Sequence, residues 1–402
     1  NNSNYVHNPS DLLWDFFENL EPEYLITNLR FTVLEALIEI HDSSLISRLI
    51  EVLQKGENRL QQLAAKALGE ISDPIAVTPL CEIITHAIDN SHGFHTESNS
   101  LACVAIQALG EIGDDSSIDI LVKSLWWVES NPWDHDYYLP AAEESVFALA
   151  SIGTERAIDE LIRFLNESPS IQQQFHSEQI HNLIRFIIIE KLQEMDVNRS
   201  IDVLIDRLGD VHIKVRAAAA CALGHFRADG AVEPLTELLN RGPLHETDLP
   251  RKDFDATHEE IDGEWVKKIV EDDRIQSAIA LGKIANRDSS EDLIKALNDE
   301  YHLIRVGAAQ GLVYFVDDCS GWPTELTKPL SLAFHQDESE DVRKYSRIAL
   351  TKIITKTFYN WSQKSEVFGF LAEATADKIF DEHVLDTNLS EGLKWLSEHG
   401  YR

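Results

Sequence analysis

Residues 67–71 read Ala-Leu-Gly-Glu-Ile, and this phrase recurs with small changes along the chain. It returns as Ala-Leu-Gly-Glu-Ile at 108–112, Ala-Leu-Gly-His-Phe at 222–226 and Ala-Leu-Gly-Lys-Ile at 280–284. With weaker copies there are nine registers, and their leucines are Leu37, Leu68, Leu109, Leu149, Leu192, Leu223, Leu281, Leu312 and Leu350. Because a phrase that recurs every few tens of residues is the signature of a repeat architecture, the sequence predicts a stack of similar units.

Each unit is predicted to be a hairpin of two helices. The phrase ends an Ala-rich apolar stretch such as 215–223, and a second apolar segment such as 231–239 follows a short turn. Small residues let the first helix pack closely on its neighbours, and Pro234 is tolerated near the start of the second, where the first-turn N–H has no helical partner. The phrase and its shortest spacing, 31 residues, resemble the HEAT repeat. We therefore predict an all-α fold, a curved α/α solenoid of HEAT-like hairpins.

The domain organisation follows from the extent of the repeats. We predict a single solenoid over 1–402, with an N-terminal cap at 1–23, repeats over 24–356 and a C-terminal helical cap at 357–402. Six registers carry an arginine eight residues before the Gly position: Arg30, Arg185, Arg216, Arg274, Arg305 and Arg343. In HEAT proteins an arginine at this position pairs with a turn aspartate of the adjacent repeat, so the resemblance implies a structural role.

Composition excludes several classes of function. The 402 residues are 44% hydrophobic and 26% charged, which excludes disorder of the whole chain, and the formal net charge of −34 repels nucleic-acid phosphates. No apolar run reaches the roughly 18 residues that a membrane span needs, so we expect a soluble, cytoplasmic protein. The four cysteines form no CxxC pair, and no nucleotide-binding, zinc-protease or hydrolase motif occurs. No metal or cofactor is expected.

Insertions between repeats are predicted to form a rim along one edge, because equivalent loops of a solenoid stack. They lie near 90–100, 126–140, 167–178 and 241–268. Two of them are rich in aromatic, histidine and acidic residues, which suit a large planar ligand. These residues are Trp126, Trp127, Trp133, His135, Asp136, Tyr137, Tyr138 and Trp265. The alternative is that the aromatic side chains are caps packed on the solenoid edge.

A fifth interruption, at 316–325, modifies the turn inside one repeat. It places Asp317, Asp318 and Trp322 beside Tyr314. Two adjacent carboxylates can raise the proton affinity of one of them, which suits an acid/base group. A structural role is the alternative for both, since Asp317 aligns with turn aspartates that could cap a helix and Asp318 also has counterparts in other turns.

Two segments outside the common phrase resemble the HEAT-like E/F-type phycobilin lyases of cyanobacteria. They are Asp-Tyr-Tyr-Leu-Pro-Ala-Ala-Glu-Glu at 136–144 and Asp-Asp-Cys-Ser-Gly-Trp at 317–322. With the repeats, the resemblance covers most of the chain and is strongest to the single-chain phycoerythrin lyases and lyase-isomerases of marine cyanobacteria. It implies a linear tetrapyrrole, or bilin, as substrate and a phycobiliprotein subunit as partner.

The reaction implied by the resemblance is thioether formation between a cysteine of a phycoerythrin α or β subunit and phycoerythrobilin. Conversion of the bilin to phycourobilin is a further implied activity of some members. We assign the acid/base role to Asp318, with Asp317 fixing the turn. Tyr314 and Trp322 are assigned to bilin binding together with Trp133, His135, Asp136, Tyr137, Tyr138 and Trp265. The alternative function is a non-catalytic HEAT-repeat scaffold or chaperone that binds a protein on its concave face.

Overall fold

The structure is a computed structural model. It describes residues 9–19, 24–39, 43–89, 96–130, 135–168, 177–241, 272–318 and 324–362. Every long element in these ranges is an α-helix, short 3₁₀ turns join many of them, and no described residue lies in a β-strand. None of the described helices has the length and apolar character that a membrane crossing requires. The prediction of an all-α solenoid of HEAT-like hairpins is confirmed.

The helices alternate between the two members of successive hairpins. After α1 (Pro9–Glu18), the first helices are α2 (Tyr24–Glu39), α4 (Asn58–Ile71), α6 (Thr96–Ile112), α8 (His135–Ile152), α10 (Ser177–Glu194), α12 (Ile213–His225), α14 (Asp273–Ile284), α16 (His302–Asp318) and α18 (Glu340–Ser362). The second helices are α3 (Ile46–Lys55), α5 (Val77–Asp89), α7 (Ile118–Ser130), α9 (Glu155–Glu167), α11 (Ile201–Arg207), α13 (Val232–Leu239), α15 (Ser289–Ala296) and α17 (Thr327–Gln336).

The chain divides into two units. The first comprises residues 1–206 and 210–215, and the second comprises 207–209 and 216–402. In the first unit α2, α4, α6, α8 and α10 pack on one another in order, and in the second α14, α16 and α18 do the same. Each unit is therefore a stack in which first helices contact first helices of the next hairpin.

The repeat leucines form the core of these stacks. All nine lie in first helices, and eight of them, from Leu37 to Leu312, are at most 1% exposed, whereas Leu350 is half-buried. The turn aspartates act as the sequence predicted in two hairpins: Asp73 accepts a hydrogen bond from Ile75 N and Asp114 from Ser116 N. Burial of the leucines and capping of the turns together set the hairpin geometry.

Four arginines of the repeat register form buried or half-buried ion pairs with aspartates just before, or at the first residue of, the next first helix. The pairs are Arg185–Asp210, Arg216–Asp273, Arg274–Asp299 and Arg305–Asp337. Burial would raise the pKa of Asp337, but hydrogen bonds from Arg305 and Ser339 N hold it below its usual range. The structural role implied for these four arginines matches the geometry.

The two arginines at the ends of the series have other partners. Arg343 donates to the main-chain oxygens of Asp337 and Glu338, at 2.7 and 2.9 Å. Arg30 lies with its guanidinium carbon 4.7 Å from the centre of the Phe17 ring. Among the described residues, Arg343 therefore contacts carbonyl groups and Arg30 makes a cation–π contact.

Small residues are required where first helices touch. A Cβ built on Gly282 would lie 2.0 Å from the carbonyl oxygen of Gly311, whereas a Cβ on Gly307 would first meet the Ile275 Cγ2 methyl at 3.0 Å. Because backbone cannot move aside as a side chain can, Gly282→Ala is expected to destabilise the second unit by about 1–3 kcal/mol and Gly307→Ala by less. Urea unfolding followed by circular dichroism checks this order, and equal midpoints for the two variants would contradict it.

Several predicted boundaries differ from the structure. Residues 126–130 belong to α7 and 135–140 to α8, so the insertion predicted at 126–140 is largely helical. The helical period of the apolar residues continues through Trp127, which is 7% exposed, and this burial extends α7. Helix α18 runs to Ser362, past the predicted boundary at 356. Residues 242–271, 319–323 and 363–402 lie outside the described part, and with them most of the predicted insertion at 241–268 and cap at 357–402.

Candidate functional site

The predicted acid pair lies at the end of a helix and not in a turn. Helix α16 continues to Asp318. The sequence predicts a turn here, with a capping role as the alternative for Asp317, but both aspartates belong to the helix that ends and neither caps the start of the next one. Two carboxylates at a helix C-terminus oppose the negative end of its dipole. Lysines from α18 compensate: Lys356 Nζ donates to the main-chain oxygens of Val316 and Asp317, the latter at 2.7 Å.

The helix places three of the predicted site residues together. Tyr314 lies four residues before Asp318 and three before Asp317, and side chains at these separations are neighbours on a helix surface, about 5–6 Å apart at Cβ. Tyr314 is half-buried, and both aspartates are exposed. The proximity of Tyr314 to the two carboxylates, which the sequence interpretation placed in a turn, is therefore produced by helical phase.

Each carboxylate of this group has a basic partner. Arg227 Nη2 lies 2.9 Å from Asp318 Oδ2, and the Asp318 side chain is 28% exposed against 60% for Arg227. Lys352 of α18 forms an ion pair with Asp317. The ion pairs hold both carboxylates at the surface of the second unit, where a ligand can reach them.

A fourth cation adjoins the same group. Lys283 of α14 is half-buried and places its Nζ 5.5 Å from the centre of the Tyr314 ring. We call Arg227, Lys283, Lys352 and Lys356, with Tyr314, Asp317 and Asp318, the α16 cluster. The four cations were missed in the sequence interpretation, which considered carboxylates, aromatic residues and cysteines but no lysine.

The other predicted site residues either lie outside the described residues or have side chains that are not described. Trp133, Trp265 and Trp322 lie outside the described residues, as does Cys319. His135, Asp136, Tyr137 and Tyr138 form the start of α8, but their side chains are not described. The predicted role of these residues in bilin binding therefore stays a prediction.

Trp126 is packed against the second helix of the following repeat. Its ring centre lies 4.8 Å from that of Phe164 in α9, and the guanidinium carbon of Arg163 lies 5.9 Å from it. The indole Nε1 is buried and has no hydrogen-bond partner among the described residues. For Trp126 the geometry matches the alternative interpretation, in which the aromatic side chain packs between helices, here α7 and α9.

A cavity of about 300 Å³ opens in the first unit between α2, α4 and α6. Its walls include Phe31, Arg59, Lys66 and Glu111, and the Arg59 guanidinium carbon lies 4.4 Å from the centre of the Phe31 ring. Burial and the neighbouring Glu70 raise the pKa of Glu111, while Lys66 acts in the opposite direction. The cavity combines both signs of charge with one aromatic face, and the sequence interpretation did not find it.

Two of the described cysteines, Cys81 and Cys103, have the properties of packing residues. Burial raises the pKa of the Cys81 thiol to about 11, with Asp114 and Glu82 adding to the effect, and burial and Glu144 raise that of Cys103 to about 11. A thiol with such a pKa is protonated near neutral pH and is a poor nucleophile. Within the described ranges, no three histidine, cysteine or acidic side chains are grouped so as to hold a metal ion.

Comparison with solved structures gives distant likenesses. They include human deoxyhypusine hydroxylase in complex with glycerol (17% identity, 77% of this chain and 96% of that chain, TM-score 0.28) and an engineered protein (17%, 87% and 89%, 0.37). Another is the complex of CpcE and CpcF of phycocyanin lyase from a Nostoc species (16%, 76% and 93%, 0.32). All three TM-scores are below 0.5, so no conclusion about this chain rests on them. No curated protein matches the chain in sequence.

The comparison with protein families is more informative, because it falls on the hairpins themselves. The PBS lyase HEAT-like repeat matches residues 60–86, 101–125, 141–167 and 215–241. These segments coincide with the hairpins α4–α5, α6–α7, α8–α9 and α12–α13. The match to this repeat therefore covers three hairpins of the first unit and the hairpin α12–α13, most of which belongs to the second.

Proposed function

We propose that this protein is a bilin lyase that joins phycoerythrobilin to a cysteine of a phycoerythrin subunit through a thioether bond. The observation that carries the proposal is the match of four hairpins to the PBS lyase HEAT-like repeat. The α16 cluster supplies the chemistry: an aromatic ring, two carboxylates and four cations on one surface of the second unit. A bilin presents the complementary groups, namely a conjugated plane, pyrrole N–H donors and two propionates.

The reaction needs a proton carrier and no oxidant. The acceptor thiol adds across the exocyclic double bond of the ethylidene group: sulfur bonds to the exocyclic carbon, and a proton is added to the adjoining ring carbon while the thiol loses its own. Asp318 gives the proton to the bilin and recovers one as the thiol adds. Conversion to phycourobilin moves a double bond by protonation of one carbon and deprotonation of another, which the same carboxyl group performs.

Asp318 is assigned this role in preference to Asp317 because of its partner and its place. Its side chain is less exposed, 28% against 43%, and its ion-pair partner, Arg227, is not a residue of α18. Asp317 pairs with Lys352, and its main-chain oxygen receives Lys356. Asp317 therefore holds α18 against the end of α16 and keeps Asp318 in position.

Mixing the purified chain with free phycoerythrobilin tests the binding step. We expect a red-shifted, sharpened absorbance spectrum, because a site that holds the tetrapyrrole extended restricts its conformations. Co-expression with phycoerythrin α and β subunits and a bilin-producing pathway tests the reaction, and a subunit that carries covalent bilin is the expected product. Unchanged spectra at high micromolar protein, with no modified subunit, would instead favour the non-catalytic scaffold.

A further inference from the structure

The residue two positions after each repeat leucine differs in character between the two units. This residue lies in the second half of each described first helix. In two places the side chains of adjacent repeats meet at this position: Glu70 acts on the pKa of Glu111, and Lys283 contacts Tyr314. In the first unit the residues are Glu39, Glu70, Glu111, Ser151 and Glu194. In the second unit they are His225, Lys283, Tyr314 and Lys352. At this position four of the five residues in the first unit are acidic, whereas none of the four in the second unit is, and those four are basic or aromatic.

This change is notable because the chain as a whole is strongly acidic, with 69 Asp and Glu against 35 Lys and Arg. A surface of such a protein attracts anions only where cations are locally concentrated. The α16 cluster contains four cations and two carboxylates. The carbonyl groups at the end of α16 offset part of the excess, because the helix C-terminus carries about half a negative charge.

The four cations of the α16 cluster differ in whether a described acidic or carbonyl oxygen pairs with them. Arg227 pairs with Asp318, Lys352 pairs with Asp317, and Lys356 donates to two main-chain oxygens of α16. These three contacts stabilise the helix end. Lys283 has no carboxylate partner among the described residues and touches only the Tyr314 ring in the cluster. An incoming carboxylate can therefore bind Lys283 without breaking an existing ion pair.

We propose that Lys283 and Lys352 bind the two carboxylates of a planar dicarboxylate ligand beside Tyr314, and that this ligand is the bilin with its two propionates. The inference rests on the proposed function. Lys283 is the main anchor because no carboxylate of the described residues pairs with it, and Lys352 takes the second carboxylate while it remains shared with Asp317. Both ammonium groups reach the surface of α16 within one turn, at Tyr314 and Asp317. Propionates held there place the attached pyrrole rings next to Asp318.

The variant that tests the inference is Lys283→Met, which removes the charge, keeps the apolar stem and leaves the contacts at the end of α16 intact. Lys344→Met is the matched control, because Lys344 also lies beside a tyrosine ring of the second unit, 5.6 Å from that of Tyr345. Binding of phycoerythrobilin and of its dimethyl ester is measured by absorbance titration. We expect Lys283→Met to weaken binding of the free acid about tenfold, to leave the ester unaffected, and the control to match the wild type.

A second probe separates failure of the inference from failure of the proposed function. Naphthalene-2,6-dicarboxylate is a fluorescent planar dicarboxylate without pyrrole groups, and the wild type is expected to bind it more tightly than Lys283→Met does. If bilin is bound and attached but Lys283→Met behaves like the wild type, the inference is wrong and the lyase proposal stands. If only the naphthalene compound binds and needs Lys283, the anion site stands and the lyase proposal fails. If the wild type binds neither probe, both are wrong.

Discussion

Asp318→Asn is expected to slow attachment of bilin by roughly 10²-fold or more, which is the usual contribution of a positioned general acid or base. The amide keeps the size of the side chain and its ability to accept a hydrogen bond from Arg227, 2.9 Å away, but it cannot carry the proton. Because Arg227 is 60% exposed, loss of the ion pair should change the free energy of unfolding by less than about 1 kcal/mol. Single-turnover attachment to a phycoerythrin subunit, followed by the visible spectrum of the product, measures the effect.

Asp229→Asn is the control for this experiment. Asp229 is exposed, aligns with Asp318 in the repeat and begins a 3₁₀ turn of the second unit, so its substitution should leave the rate unchanged. Retained binding of bilin by Asp318→Asn, with slow attachment or a product that lacks isomerisation, would support the acid/base role. A wild-type rate and product from Asp318→Asn would exclude Asp318 as the proton carrier, and His135 and Asp136 would then be tested next.

Asp210→Ala is expected to lower the stability of the first unit by about 3–5 kcal/mol. Its carboxylate lies 3.3 Å from Nε of Arg185, and both side chains are at most 1% exposed. It also accepts a hydrogen bond of 2.9 Å from His212 N. Removal of the carboxylate leaves a buried guanidinium without its counter-charge, and desolvation of that charge is the main cost. Urea unfolding followed by circular dichroism measures the change.

Asp119→Ala provides the comparison, because Asp119 pairs with Arg156 in the same unit but at the surface, where the two side chains are 83% and 50% exposed. Solvent screens this pair, so its loss should cost less than about 1 kcal/mol. Similar losses for the two variants would show that burial does not govern the contribution of the arginine register. A neutral Asp210→Ala would show that Arg185 finds another partner or water once Asp210 is absent.

The sequence by itself determined the class of fold and the position of every first helix. Nine leucines recur in one phrase, and all nine lie in first helices, because burial of an apolar residue at a fixed helical phase depends on local pattern. The recurrence of the arginines was also visible in the sequence, and the resemblance to HEAT repeats implied their aspartate partners. The predicted ends of α7, α8 and α18 were less accurate, because a few more residues of helix depend on packing against neighbouring elements.

Only the tertiary structure shows which residues make up the α16 cluster. Tyr314, Asp317 and Asp318 are close in sequence and could be chosen from it, although their place in the last turns of a helix could not. Lys283 and Lys352 are 31 residues before Tyr314 and 35 after Asp317. They share the repeat position of Tyr314, but that position does not show which side chains meet. Only the packing of α14 and α18 against α16 brings their charges to one surface, because stacking of repeats makes distant residues of equal register adjacent.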